Sequence, residues 1–319
     1  MEGLTYARRV LSKETWVPTP LLPASTLSQR VGAEIWLKRE DCTPVGSFKL
    51  RGALVTMARL SRRIPKAGVY VASAGNYGLA IAEAGRRKGV KVTVFVAEGA
   101  NPSKVARIKG AGAAVVHHGV DFDAAKEYCR QKAGEDGAAF WEDGVVPAMA
   151  LGAATIAAEL LEQGRWDYVL VPLGNGSLIK GIATVFKERS PNTKVVALVS
   201  TGAPAMAQGL MGQPWDEMAP IVSEADGLAV RIPIKPMVKE LRALVSETWL
   251  VEEKLLIPAV ATLIEMEQVI VEPSAAICAA AVATHTGELA GKRVAAILTG
   301  AHLRRSLLPK VAASKGLTL

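Results

Sequence analysis

A lysine on the edge of an apolar helix face can attack a carbonyl carbon, and Lys49 has that setting. It stands in Pro44-Val45-Gly46-Ser47-Phe48-Lys49-Leu50-Arg51-Gly52-Ala53. Ser47 reads as a helix N-cap, and the run after it continues as a helix to about Leu60, with Leu50, Ala53, Leu54, Met57 and Leu60 on one stripe. At about 100° per residue, Lys49 falls about 40° from Ala53 and about 20° from Leu60, so its side chain points inward. Two readings follow: a snorkelling stem with its head in water, or a desolvated amine fit for carbonyl chemistry.

Three strand ends carry unusual turns. Ser73-Ala74-Gly75-Asn76-Tyr77-Gly78 lies between a strand ending at Ala72 and a helix over Leu79–Lys88. Glycines there let backbone amides face a ligand, and the helix start adds positive potential, which suits a carboxylate. Gly174-Asn175-Gly176-Ser177-Leu178 follows the strand Tyr168–Leu173 and precedes a helix over Ile179–Arg189. Successive amides in such a loop form a nest for phosphate oxygens. The loop misses the dinucleotide fingerprint, because the next glycine is Gly181, and it lacks the Gly-Lys-Ser/Thr ending of a P-loop. Leu298-Thr299-Gly300-Ala301-His302 is the third, where Thr299 either offers a hydroxyl to a ligand or caps a following helix. Each turn, taken alone, also serves as a plain strand-to-helix connection. His117, His118, His285 and His302 show no metal-binding spacing and have no thiol partners, so no metal is expected from them. There is no Gly-x-Ser-x-Gly.

The elements that position these turns alternate short β-branched runs with longer Ala/Leu/Glu/Arg stretches from Gly68 onward, the pattern of a parallel sheet covered on both faces. Strands are expected at Val69–Ala72, Val90–Ala97, Ala113–His117, Ala138–Trp141, Tyr168–Leu173, Lys194–Val199, Thr248–Val251, Val269–Val271 and Arg293–Leu298, with a hairpin strand at Glu34–Arg39. Asn101-Pro102 opens a helix that Gly110 closes, and Gly89 closes the one before it. So many strands exceed one simple sheet, and 319 residues suggest about two domains. No Gly/Ser linker divides the chain. The expected organisation is therefore an insert over 67–144 within a larger domain made of 1–66 and 145–319.

The formal charge of +8 is scattered in pairs such as Arg8-Arg9, Arg62-Arg63 and Arg304-Arg305, which argues against a nucleic-acid stripe. Cys42, Cys129 and Cys278 lie far apart without CxxC spacing, which fits a reducing compartment. No apolar run reaches the ~18 residues of a membrane span, and the first residues lack a signal-peptide core. The expectation is a cytoplasmic protein that binds neither nucleic acid nor membrane.

Taken together, Thr19-Pro-Leu-Leu, Trp36-Leu-Lys-Arg-Glu-Asp41, Gly46-Ser-Phe-Lys-Leu-Arg-Gly-Ala53, Ser73-Ala-Gly-Asn-Tyr-Gly78, Pro172-Leu-Gly-Asn-Gly-Ser-Leu178, Ala225-Asp-Gly-Leu-Ala229 and Val271-Glu-Pro-Ser274 run in one order along the chain. In that order they resemble the pyridoxal-phosphate enzymes of the tryptophan synthase β-like fold (fold type II), in the threonine/serine dehydratase and serine racemase branch. The resemblance implies an α/β protein of two domains with open, mostly parallel twisted sheets covered by helices. It implies pyridoxal 5'-phosphate as cofactor, held by Lys49 as an internal aldimine, with Phe48 beside the pyridine ring. Ser73, Ala74, Gly75, Asn76 and Tyr77 would bind the substrate carboxylate, and Asn76 also the cofactor's 3'-oxygen. Gly174, Asn175, Gly176, Ser177 and Leu178 would take the phosphate, and Thr299 the pyridine nitrogen. A hydroxyl at that nitrogen, where other families use a carboxylate, favours elimination. Lys49 would then remove the α-proton of an amino-acid substrate, a β-substituent would depart, and hydrolysis would yield a 2-oxo acid and ammonia.

Several positions depart from the branch. Its phosphate loop is usually all glycine, yet here it carries Asn175 and Ser177. Tyr77 replaces a usual His, and the last motif reads Thr-Gly-Ala-His in place of Ser-Gly-Gly-Asn. The racemases carry a second Ser where this chain has Ala74. The acidic positions that hold a cation in some relatives fall on Val199 and Ala205, so no metal is expected. These differences leave the substrate open between threonine or serine and a bulkier, even aromatic, 3-hydroxy-L-amino acid. A homodimer is what the family implies. The rival readings are a β-replacement synthase or racemase of the same fold and, further off, a nucleotide-binding oxidoreductase or a non-enzymatic binding protein.

Overall fold

The computed structural model describes residues 2–14 and 16–318. Chain contacts divide it into two compact units, one made of the segment up to Trp16 with Lys49–Gly152, the other of Val17–Phe48 with the chain from Ala153 onward. The strands are β1 (Leu21–Pro23), β2 (Glu34–Arg39), β3 (Val69–Ala72), β4 (Val92–Val96), β5 (Ala114–His117), β6 (Ala139–Phe140), β7 (Tyr168–Pro172), β8 (Lys194–Ser200), β9 (Glu247–Val251) and β10 (Arg293–Leu298).

The first unit holds a four-stranded parallel sheet in the order β5-β4-β3-β6. The helix Lys49–Leu60 packs on Asn76–Lys88 and on Glu2–Lys13, which draws both flanking helices into the same unit as the stretch 67–144. Helix ends follow the local chemistry. Asn101 accepts a hydrogen bond from Ser103 N at 2.9 Å ahead of Pro102, and Gly89 closes its helix at φ +65°.

The second unit holds a six-stranded sheet in the order β1-β2-β10-β7-β8-β9, parallel except for the β1–β2 pair. Every residue of β7 is buried, as a strand covered on both faces requires. Against it lies the alanine-rich helix Pro273–Thr284, buried continuously from Pro273 to Val282 and packed on β7, β8, β9 and β10. Its small side chains admit close approach, and the Cys278 thiol donates to the carbonyls of Leu170 and Ile297 at 3.7 and 3.5 Å.

Two expectations change. Val269–Val271 is not a strand: Gln268 ends the helix Leu256–Glu267 at φ +56°, and Val269 N returns to Leu263 O. Val269 and Val271 are buried and Ile270 is exposed, so the alternation is strand-like, but core packing satisfies it without a ladder. Glu34–Arg39, expected as a hairpin strand, does pair antiparallel with β1, but the helix Ser25–Val31 separates the two strands. No helix among the described residues is long and apolar enough to cross a membrane.

Candidate active site

Ligands of open parallel sheets sit beyond the carboxyl ends of strands, where the strand order reverses. In the second unit that point lies between β7 and β10, in the first between β3 and β6. The sequence-predicted residues divide accordingly, with Gly174–Leu178, Thr299 and Phe48 in the second unit and Lys49 and Ser73–Tyr77 in the first.

Beyond β7, the loop is closed to side chains at two places. A Cβ at Gly174 would meet Gly227 O at 2.4 Å, and one at Gly176, whose φ is +97°, would meet Met237 Cγ at 2.6 Å. Gly227 is itself held by a hydrogen bond from its N–H to Ser274 Oγ at 3.0 Å. The motifs around 225–229 and 271–274 therefore back the loop from behind. Ser177 starts the 13-residue helix Ser177–Arg189, two residues earlier than expected, and is buried; Asn175 is half-buried. A glycine-lined turn opening a helix presents backbone amides and the positive end of the helix dipole, which is a seat for phosphate.

Beyond β10, Thr299 is buried, and its carbonyl accepts the Phe48 N–H at 3.1 Å. Gly300 pairs with Ser47, Ala301 N donates to Gly46 O at 2.9 Å, and His302 Nε2 donates to Val45 O at 2.8 Å. The segment 299–302 thus laces down the chain leading to Phe48. Two sequence expectations are corrected here. Ser47 is not an N-cap: its N–H donates to Thr43 Oγ1 at 2.8 Å, its carbonyl accepts that hydroxyl at 2.7 Å, and the helix begins at Lys49. Thr299 caps no helix either, since the next helical residues are a short turn at Arg305–Leu307. The role of His302, unread in the sequence, is to hold Val45.

In the first unit, Asn76 and Tyr77 open the helix Asn76–Lys88, three residues earlier than expected. Ser73 Oγ accepts the Gly75 N–H at 3.2 Å, which shapes the turn, while Ala74, Gly75 and Asn76 remain half-buried. Tyr77 is buried, and among the described residues its hydroxyl has no hydrogen-bond partner. Burial, followed by the nearby charges of Asp143 and Glu142, holds that phenol well above its usual range, so it stays protonated.

The Lys49 side chain is 13% exposed, and its Nζ donates to Asp143 Oδ1 and Oδ2 at 2.7 and 2.6 Å. The same nitrogen lies 5.7 Å from the centroid of the Tyr77 ring. This sheltered ion pair excludes the snorkelling reading. Asp143 was missed from the sequence, although the signal was present, because it follows the expected strand Ala138–Trp141 and strand ends are where ligands bind.

The first unit thus carries a sheltered lysine amine and a turn at a helix start, and the second a glycine loop closed to side chains. The family model described as "Pyridoxal-phosphate dependent enzyme" matches residues 13–300. The chain belongs to that family. It is 33% identical over 289 residues to the biosynthetic L-threonine dehydratase of Haemophilus influenzae, covering 89% of this chain and 56% of the relative, so it spans little more than half of that protein. To the L-threonine ammonia-lyase of Thermotoga maritima it is 31% identical over 318 residues, covering 99% of this chain and 79% of that one. The structure of maize serine racemase superposes with a TM-score of 0.89 over 98% of each chain, at 24% identity, which speaks for the tryptophan synthase β-like fold alone.

Pyridoxal phosphate fits the residues present. The cradle at Gly174 and Gly176 accepts no Cβ, as a phosphate held by backbone amides requires, and Lys49 supplies a sheltered primary amine. No group of three or more potential metal ligands occurs among the described residues. Val199 is a buried strand residue, Ala205 starts a helix, and the Glu253 carboxylate nearby accepts hydrogen bonds from Ser200 Oγ and Glu224 N.

Proposed function

We propose that the chain is a dehydratase of the ammonia-lyase type that converts a 3-hydroxy-L-amino acid, threonine, serine or a bulkier analogue, to the 2-oxo acid and ammonia. The observation that carries this reading is the Lys49 amine, sheltered at the strand ends of β3 and β6 within the wording Phe48-Lys49-Leu50-Arg51-Gly52-Ala53. The named activities of the relatives support it. Bound pyridoxal phosphate supplies the electron sink that lets an α-proton and then a β-hydroxyl leave. Lys49 carries the cofactor and takes the α-proton at Nζ. The turn Ser73–Tyr77 would bind the substrate carboxylate, Gly174–Leu178 would hold the phosphate, and Phe48 and Thr299 would serve the pyridine ring and its nitrogen. Serine then gives a three-carbon oxo acid and ammonia with no net consumption of water.

Only one proton-transfer group serves the α-carbon in this reading. Ala74 has no hydroxyl, Ser73 Oγ is engaged by Gly75 N, and the Tyr77 hydroxyl is buried. Elimination should therefore proceed from one enantiomer, L, without racemisation. The test incubates the purified chain with each enantiomer of serine, threonine and a 3-aryl serine, following oxo acid and enantiomeric composition. Visible absorbance that borohydride abolishes, oxo acid without an added nucleophile, and no opposite enantiomer are expected. Failure to release oxo acid without an added nucleophile would favour a replacement synthase, and racemisation at a rate comparable to elimination would sink the role of Ala74. The resemblance further implies a homodimer, and three free thiols suit a reducing compartment such as the cytoplasm; light-scattering mass and fractionation test these.

A further inference from the structure

We infer that Asp143 is the positioning residue of Lys49: it holds the ε-amine whenever that amine is not joined to a carbonyl, and so sets how readily Lys49 captures its cofactor and where it stands as a base. The inference rests on the reading of Lys49 as the cofactor-bearing residue.

Three segments far apart in the chain converge on one nitrogen. Lys49 comes from the first position of its helix, Asp143 from the turn after β6, 94 residues on, and Tyr77 from the first turn after β3. The two carboxylate oxygens lie 2.7 and 2.6 Å from Nζ, and the aromatic ring centroid is 5.7 Å away. A carboxylate and a ring face together make a seat for a primary ammonium. The seat is fixed by backbone. Trp141 N donates to Tyr70 O at 3.0 Å, continuing the β3–β6 ladder, and the N–H groups of Val145 and Val146 both donate to Glu142 O, at 3.2 and 3.3 Å. Asp143 therefore sits in a turn pinned on both sides, whereas a lysine side chain left alone sweeps through many rotamers.

The chemistry gives the pair two opposite effects. Attack on a carbonyl carbon needs the nitrogen lone pair, so the amine must first give up a proton and leave Asp143; a C–N bond then forms and water departs. The carboxylate thus slows capture. Once freed by an incoming substrate amine, the Lys49 amine would return to Asp143 and stand in one place to take the α-proton at Nζ, and the carboxylate would balance the charge of the Lys49 ammonium that results. The carboxylate thus speeds turnover. General damage to the fold would slow both processes, so their opposite movement is the signature of positioning.

The experiment compares the whole chain with Asp143→Ala, Asp143→Asn and Asp143→Glu. Each is stripped of cofactor and reloaded with pyridoxal phosphate while visible absorbance is followed; kcat and KM are measured separately. In Asp143→Ala the capture rate should rise on the order of tenfold and kcat should fall by about tenfold to a hundredfold, with KM within about threefold, as expected for loss of a charge-assisted hydrogen bond. Asp143→Asn should lie between it and the parent, and Asp143→Glu should bring capture back toward the parent rate. Capture and kcat that fall together, or that both stay unchanged, overturn the inference. If capture responds as described but the parent chain makes no oxo acid from any hydroxy amino acid, the dehydratase reading fails while the positioning of Lys49 stands. If borohydride fixes no cofactor on Lys49 of the parent chain, both fall.

Discussion

The strand ends beyond β7 and β10 and those beyond β3 and β6 occupy equivalent places in two mostly parallel sheets, yet they are built from different materials. The first is a backbone site: Gly174 and Gly176 exclude side chains, and the helix Ser177–Arg189 begins there, with first-turn amides that have no acceptor within the helix. The second is a side-chain site, in which Lys49, Asp143 and Tyr77 meet around one nitrogen. A phosphate keeps its charge throughout a reaction and can be held by fixed dipoles. An amine that must gain and lose a proton needs a partner that responds, and only an ionisable side chain does so. In the proposed reading, division of labour between backbone and side chains follows the division between holding and reacting.

Substitution tests that contrast, most severely at Lys49. Lys49→Ala should lower oxo-acid production by roughly 10⁴-fold or more, since one amine is both carrier and base, while the fold stays intact because a helix accepts alanine readily, with a thermal midpoint lowered by the loss of the Asp143 partner. Substantial activity in a well-folded variant would break the assignment. Next comes charge used for structure alone. In the second unit Lys38, 2% exposed, pairs with Glu159 and donates to Thr19 O, both at 2.6 Å. Lys38→Met leaves Glu159 without that cation in a sheltered place and should cost about 3–5 kcal/mol, read by denaturant titration. Cofactor affinity in the fraction that remains folded should not change.

A smaller effect separates the two sites from each other. Gly174→Ala pushes a methyl toward Gly227 O and should weaken pyridoxal phosphate by about tenfold to a hundredfold, the scale of ~1–3 kcal/mol of local strain. Capture of pyridoxal, which lacks the phosphate, should be unaffected. Equal losses for both aldehydes would mean that the loop supports the amine as well as the phosphate. The smallest effect is none: a chelator should leave activity and thermal midpoint unchanged, because Glu253 is already engaged by Ser200 and Glu224 N and a hard cation needs several free oxygens. A large loss restored by magnesium or calcium would contradict this.

Local chemistry made much of this legible in the residues. Asn101-Pro102 and Gly89 mark helix ends because capping involves neighbours in the chain, and both do so in the structure. The strands around Val94, Leu170 and Ile297 are apolar on both faces, which announces a covered parallel sheet. Gly174 and Gly176 could be suspected of serving an anion because glycine is informative wherever backbone must come close. The order of motifs, more than any one of them, pointed to the cofactor.

Long-range pairing decided the rest. Nothing near Ser47 reveals that Gly300 is its partner, so a residue with ideal capping chemistry lies buried in a bridge and the helix begins two residues later. Val269–Val271 alternates as a strand would, but a strand also needs a neighbour with open hydrogen bonds, and it has instead the core beside the helix Leu256–Glu267. Lys49 shows the boundary most clearly. Its side-chain length, its amine and its place beside an apolar stripe belong to the sequence by itself, because they depend on residue type and helical period. Its partner does not: Asp143 is brought to Nζ by the pairing of β6 with β3, and a hydrogen bond spanning 94 residues is specified by the sheet and not by any local pattern.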